Sequence, residues 1–173
     1  MTGLTIAESG MTFGPFRAGH CFWIEKSASY RAIQDGVPIA EFLWLRSRRN
    51  RPNVWVVEAK SSSPRPETQP RFEEYLTEIA GKWVNALSLG LALCLGRHPL
   101  TQGELPRPFR QIDPGKADFR LVLVIRGHEA AWLFPLQDAL VQRLRPTVKA
   151  WGLGANAVAV INDVKARELG LIH

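Results

Sequence analysis

The residues best suited to chemistry gather at the end of one apolar run. Val54-Trp55-Val56-Val57 leads straight into Glu58-Ala59-Lys60, and Ser61-Ser62-Ser63 follows. Successive β-branched and aromatic residues predict a strand, and apolar side chains on both of its faces predict a central one. Glu58 and Lys60 stand two positions apart, so they share a face. A carboxylate and an ammonium at the end of a buried strand are costly unless they are paired or ligate a cation. The bland alternative is a solvated strand end with an ion pair between neighbours.

A second run, Ile39-Ala40-Glu41-Phe42-Leu43-Trp44-Leu45-Arg46, precedes it across the polar stretch Ser47 to Asn53. Two such runs around a polar turn read as an antiparallel hairpin. A turn centred between Arg49 and Asn50 sets Leu45 opposite Val54, Leu43 opposite Val56 and Glu41 opposite Glu58. Facing residues have Cβ atoms about 5 Å apart. Two carboxylates and a lysine then converge, and like charges at that distance call for a cation between them.

Glu41 followed by Glu58-Ala59-Lys60 on a hairpin, with a helix after it, resembles the PD-(D/E)XK nuclease superfamily over roughly residues 21 to 95. The resemblance implies a restriction-endonuclease-like core: a mixed central β-sheet flanked by helices, an α/β fold. It implies that Glu41, Glu58 and the Ala59 backbone carbonyl hold Mg²⁺, with Mn²⁺ as a substitute, and that Glu41, Glu58 and Lys60 are catalytic. The family's proline–acid pair stands here as Ala40-Glu41. Its first helix, often carrying a further acid, has no clear counterpart, and Glu25 is the nearest candidate. Gln69 and Lys82 are candidates for the polar residue that some members carry near the site. A plain i,i+4 pair with Glu78 also explains Lys82.

Composition sets the frame. The chain has 173 residues, enough for a single domain with a proper core, and 46% hydrophobic against 22% charged residues is ordinary for a globular protein. The core is expected over about residues 20–126, with a C-terminal strand and helix extension over about 127–173. No apolar run reaches the roughly 18 residues needed to span a bilayer. The N-terminal residues lack the pattern of a secretory signal. Cys21 and Cys94 lie in apolar segments and suit buried thiols in a reducing compartment, so a cytoplasmic location is expected. The net charge of +6 favours a polyanionic partner.

Along the chain, residues 1 to 19 read as an edge strand or a loose arm, and His20 to Glu25 as the first firm strand. Arg46, Arg48, Arg49 and Arg51 crowd the hairpin turn and are candidate nucleic-acid contacts. They lie about 25 Å from Glu58, so they suit flanking duplex rather than the scissile phosphate, and a merely solvated turn explains them equally well. A helix follows from Arg71 to Leu95, where Leu76, Ile79, Trp83, Leu87, Leu91 and Cys94 make an apolar stripe. Arg97 to Asp118 is a long connection suited to gripping substrate, docking a partner or remaining disordered. Phe119 to Arg126 is a strand, Ala131 to Trp151 a helix kinked or split at Pro146, Ala157 to Ile161 a strand, and Val164 to Leu171 a short helix. No His or Cys pair has metal-ligand spacing, and Ser61 to Ser63 show no evident histidine partner.

The expected function is hydrolysis of phosphodiester bonds with a divalent metal, DNA ahead of RNA, with a protein partner supplying targeting as in a defence or repair assembly. The alternative is a catalytically inactive module of the same fold that binds nucleic acid or protein.

Overall fold

The computed structural model describes residues 3–173, apart from the side chains of Arg48 and Gln102. Strands β1 (Leu4–Glu8) and β2 (Met11–Phe16) form an antiparallel hairpin. Then come β3 (Cys21–Phe22), the one-turn helix α1 (Ala28–Arg31), β4 (Phe42–Arg48) and β5 (Arg51–Lys60). Helix α2 (Arg71–Cys94), the short α3 (Arg107–Arg110), β6 (Asp118–Ile125), α4 (Ala130–Ala150), β7 (Val158–Asn162) and α5 (Asp163–Glu168) complete the chain.

Five strands make one mixed sheet in the order β3-β4-β5-β6-β7, antiparallel through β5 and parallel from β5 to β7. The two parallel steps, by way of α2 and α4, move the same way across the sheet. The fixed handedness of such crossovers places both helices on one face. Val54, Val56, Leu121 and Leu123 indeed share a core with Leu76, Ile79 and Trp83 of α2 and Leu136 and Leu140 of α4. The other face is covered by the β1–β2 hairpin and the C-terminal segment, where Ile6, Phe13 and Ile172 pack on Phe42, Trp55 and Val57. With both faces covered, β5 is the central, two-sided strand that its sequence predicts.

The β4–β5 register is the expected one, with Leu45 opposite Val54 and Leu43 opposite Val56. The strands run closer to the turn than expected, because Arg49 and Asn50 alone make it, at φ 50° and 60°. Positive φ at both central residues matches the twist of a two-residue hairpin turn.

Several expectations need correction. The N-terminal residues form the β1–β2 hairpin rather than an arm, because Ser9 (φ 51°) and Gly10 (φ 74°) close a tight turn. A Cβ on Gly10 would lie 2.4 Å from Arg126 Nη1, so glycine suits both this backbone and the close approach. The strand expected at His20 to Glu25 is only Cys21–Phe22, followed by a single 3₁₀ turn over Ile24–Lys26. The long connection after α2 is neither disordered nor open: Leu105 and Phe109 are buried, and Glu104 accepts hydrogen bonds from the Ala28 and Ser29 amides. Helix α4 runs unbroken through Pro146. The carbonyl that Pro146 leaves without a donor belongs to Gln142, on the exposed side, where water can serve it.

Candidate functional site

Side chains alternate along β5. Trp55, Val57 and Ala59 face the hairpin, while Val54, Val56 and Glu58 face α2. Glu58 therefore enters the helix-side layer, fully buried. Its Oε1 accepts a hydrogen bond from Lys82 Nζ at 2.8 Å and has Lys60 Nζ at 3.3 Å. Lys60 reaches on to Glu78 at 2.7 Å. Lys82, Glu58, Lys60 and Glu78 thus form one ionic chain between strand and helix. The i,i+4 pairing of Lys82 with Glu78 is not the one found: each residue pairs across to β5. Burial pushes the Glu58 carboxyl up, and the two ammonium groups pull it back. Burial alone would lower Lys60, but Glu78 and Glu58 hold it above its ordinary value. Burial, with the charges of Glu58 and Glu78, also raises the Tyr75 phenol.

Glu41 is the unusual member. The β4–β5 ladder ends at Phe42–Val57, and the Glu41 amide donates to the Val57 carbonyl at 3.0 Å, so the expected facing pair with Glu58 slips at its last step. The Glu25 amide donates to the Glu41 carbonyl at 3.2 Å, which ties the 3₁₀ turn to this corner. The Glu41 residue is only 5% exposed, and among the described residues nothing donates to its buried Oε2. Oε2 of Glu58 is likewise buried and bare. Burial, then the charges of Glu58, Glu25 and Glu8, push the Glu41 carboxyl up to about 8. A carboxylate this deep without a partner is held by a proton or calls for a cation.

The other expected site residues divide. Glu25 adjoins Glu41 and pairs with Lys26 at 3.1 Å. Gln69 is exposed and donates to the Pro66 carbonyl at 3.1 Å, a bond within its own loop. The Ala59 carbonyl accepts from Ser9 Oγ at 3.1 Å, so the hairpin tip already serves it. Among the described residues, no three His, Cys, Asp or Glu side chains gather into a group able to hold a metal ion. What a divalent cation could use here is Glu41 Oε2 and Glu58 Oε2, the oxygens of these two carboxyls that lack a donor among the described residues.

The arginine cluster is dispersed. Arg46 lies over Trp44 and Trp55 at 4.5 and 4.6 Å, packed on the sheet. Arg49 and Arg51 are exposed at the hairpin end, and the Arg48 side chain lies outside the described residues.

One contact overturns an expectation: Ser63 does have a histidine. Ser63 Oγ lies 3.0 Å from His128 Nε2. His128 packs edge-on against Trp132, whose face carries the Arg65 guanidinium at 4.4 Å. The loop bearing His128 is pinned by Asn162, whose side chain donates to the His128 carbonyl at 3.0 Å and accepts from the Lys165 amide at 2.9 Å, capping α5. Burial and the nearby Arg65 charge lower the His128 pKa. The signal in sequence was weak, since 65 residues separate the partners. Asn162→Ala removes both bonds and is expected to cost about 1–2 kcal/mol in urea unfolding; a cost near zero would mean that the cap and tether are not formed.

No protein-family model, curated protein or solved structure matches the chain.

Proposed function

We propose that the protein is a divalent-metal-dependent phosphodiesterase of restriction-endonuclease-like architecture, with DNA as the first substrate to test and Glu41, Glu58 and Lys60 as its catalytic centre. The observation carrying this reading is Glu41: a buried carboxyl beside a second buried carboxyl, each with one oxygen lacking a donor. The five-strand order, antiparallel then parallel, and the placing of Glu58 and Lys60 at the end of the central strand favour the same architecture.

Glu41 and Glu58 would hold a divalent cation, which would supply Lewis-acid polarisation of a phosphate and a more acidic water. The chain's own residues supply the rest. Glu58, clamped by Lys82, is fixed in direction. Lys60 is a quarter exposed beside the buried carboxylate, and in this reading its ammonium stabilises negative charge developing on a phosphate. Glu78 holds Lys60 in that position until substrate arrives.

The test mixes the protein with plasmid, single-stranded DNA and RNA in Mg²⁺, Mn²⁺ or EDTA. Cleavage with metal and none in EDTA is expected. No cleavage of any substrate in either metal favours the second reading, a non-catalytic nucleic-acid-binding or protein-binding module. The replacement of the family's proline–acid pair by Ala40-Glu41 is what favours that reading.

A further inference from the structure

A cleft of about 680 Å³ opens beside Lys60, between the loop after β5 and the first turns of α2. Three cations line it, Lys60, Arg65 and Arg71, against two acids, Glu74 and Glu78, and Glu78 is already neutralised by Lys60. Among the described residues neither Arg65 nor Arg71 makes an ion pair, although Glu73, close by on α2, pairs with Arg143. Unpaired arginines in a concave site are suited to a ligand's charge.

Their surroundings are prepared for phosphate. The Arg65 guanidinium carbon sits 4.4 Å from the centre of the Trp132 ring, and with no ion pair among the described residues its N–H groups suit two-pronged contact with an oxyanion. The Ser63 side chain is fixed at the same wall by His128. An imidazole carrying its proton on Nε2 donates to Ser63 Oγ, and the hydroxyl proton is then free for a phosphate oxygen. The loop's other hydroxyls, from Ser61, Ser62 and Thr68, line the same space.

We propose that this cleft is the seat of a single nucleic-acid strand, whose successive phosphates contact Arg65 and Arg71 as it leads to Lys60. The cleft lies between loop and helix and begins at the candidate catalytic lysine, a basic groove of the kind that tracks a single backbone. The arginines of the hairpin turn, at the opposite end of β5, do not serve this strand. The choice of ligand rests on the phosphodiesterase reading, but the binding does not require catalysis.

The test is fluorescence anisotropy in EDTA with labelled 20-nucleotide single strands of DNA and RNA, and with the DNA duplex, over a salt series. Wild type should bind a single strand at least tenfold tighter than duplex. Arg65→Ala/Arg71→Ala should weaken single-strand binding at least tenfold and reduce the log–log salt slope by about 1.4, two contacts at about 0.7 each. Arg49→Ser/Arg51→Ser should stay within twofold of wild type, and Arg65→Gln alone, a milder change in an exposed loop, should lower the slope by about half as much as the double variant. Unchanged affinity and slope in the double variant with a native circular dichroism spectrum, tighter binding of duplex, or no binding by wild type would each overturn the proposal. Binding that persists in a protein that cleaves nothing removes the phosphodiesterase and keeps the cleft. Cleavage that survives the double variant with unchanged affinity does the reverse.

Discussion

Lys60→Ala is expected to lower metal-dependent cleavage by at least a hundredfold while leaving the fold intact, whereas Lys82→Ala is expected to damage the fold. The two lysines meet the same carboxylate oxygen, yet their settings differ. Lys82 makes the shorter contact, 2.8 Å against 3.3 Å, and its side chain is the less exposed, 17% against 24%. Removing it leaves a fully buried Glu58 facing only Lys60, which Glu78 also holds. Removing one partner of a buried ion pair typically costs about 3–5 kcal/mol. Since Lys60 remains, about 2–3 kcal/mol is the expected loss for Lys82→Ala, and under 1 kcal/mol for Lys60→Ala. Urea denaturation of both variants, with circular dichroism spectra beside the cleavage assay, checks this. In a Glu58→Gln background, Lys82→Ala should cost much less, because the buried charge it served is gone. Equal costs for the two lysines, or wild-type cleavage by Lys60→Ala, would remove the division between a clamping and a reacting lysine.

The second large effect is a pH dependence centred on Glu41. Its folded-state pKa of about 8 lies above the ordinary 4.5. Between those values the folded protein keeps a proton that the unfolded chain has released, so stability falls as pH rises from about 4.5 to about 8 and levels off above. A shift of that size corresponds to a few kcal/mol, on the order of 5. Glu41→Gln cannot titrate, so its stability should vary far less over that window. At pH 9 without metal it should melt above wild type, with a net gain on the order of 1 kcal/mol after the burial of an unpartnered amide. At pH 5, where wild-type Glu41 is neutral, the advantage should vanish. Thermal melting of both proteins from pH 5 to pH 9 in EDTA decides it. A variant that melts well below wild type at pH 9 would make Glu41 the structural partner of a basic group.

Much of this site was legible in order and little of it in depth. The turn centred on Arg49 and Asn50 set the β4–β5 register, and the apolar stripe of α2 set which of its faces meets the sheet, because both are local periodic patterns. That same stripe left Lys82 to a helical neighbour: an i,i+4 rule sees only the helix, and the acceptor on β5 is 24 positions away. Ser63 and His128 were hidden for the same reason, being joined by the parallel packing of β5 against β6. The slip at Glu41 also escaped, since register reasoning assumes that the ladder continues to the strand's end. The N-terminal hairpin is a different case. Its Ser9-Gly10 turn was readable, but Gly14 and Pro15 within β2 masked the alternation of buried Met11, Phe13 and Phe16.

The proposed divalent cation at Glu41 is tested most directly by Mn²⁺ binding, read by titration calorimetry at pH 7 in two buffers of different ionisation enthalpy. One Mn²⁺ per chain is expected, with close to one proton released as Glu41 ionises, since a raised pKa of about 8 keeps it mostly protonated at that pH. Glu41→Gln should abolish the proton release and weaken binding, and Glu58→Gln should weaken binding as well. Absence of binding up to millimolar Mn²⁺, or binding with unchanged affinity and proton release in Glu41→Gln, would contradict the account.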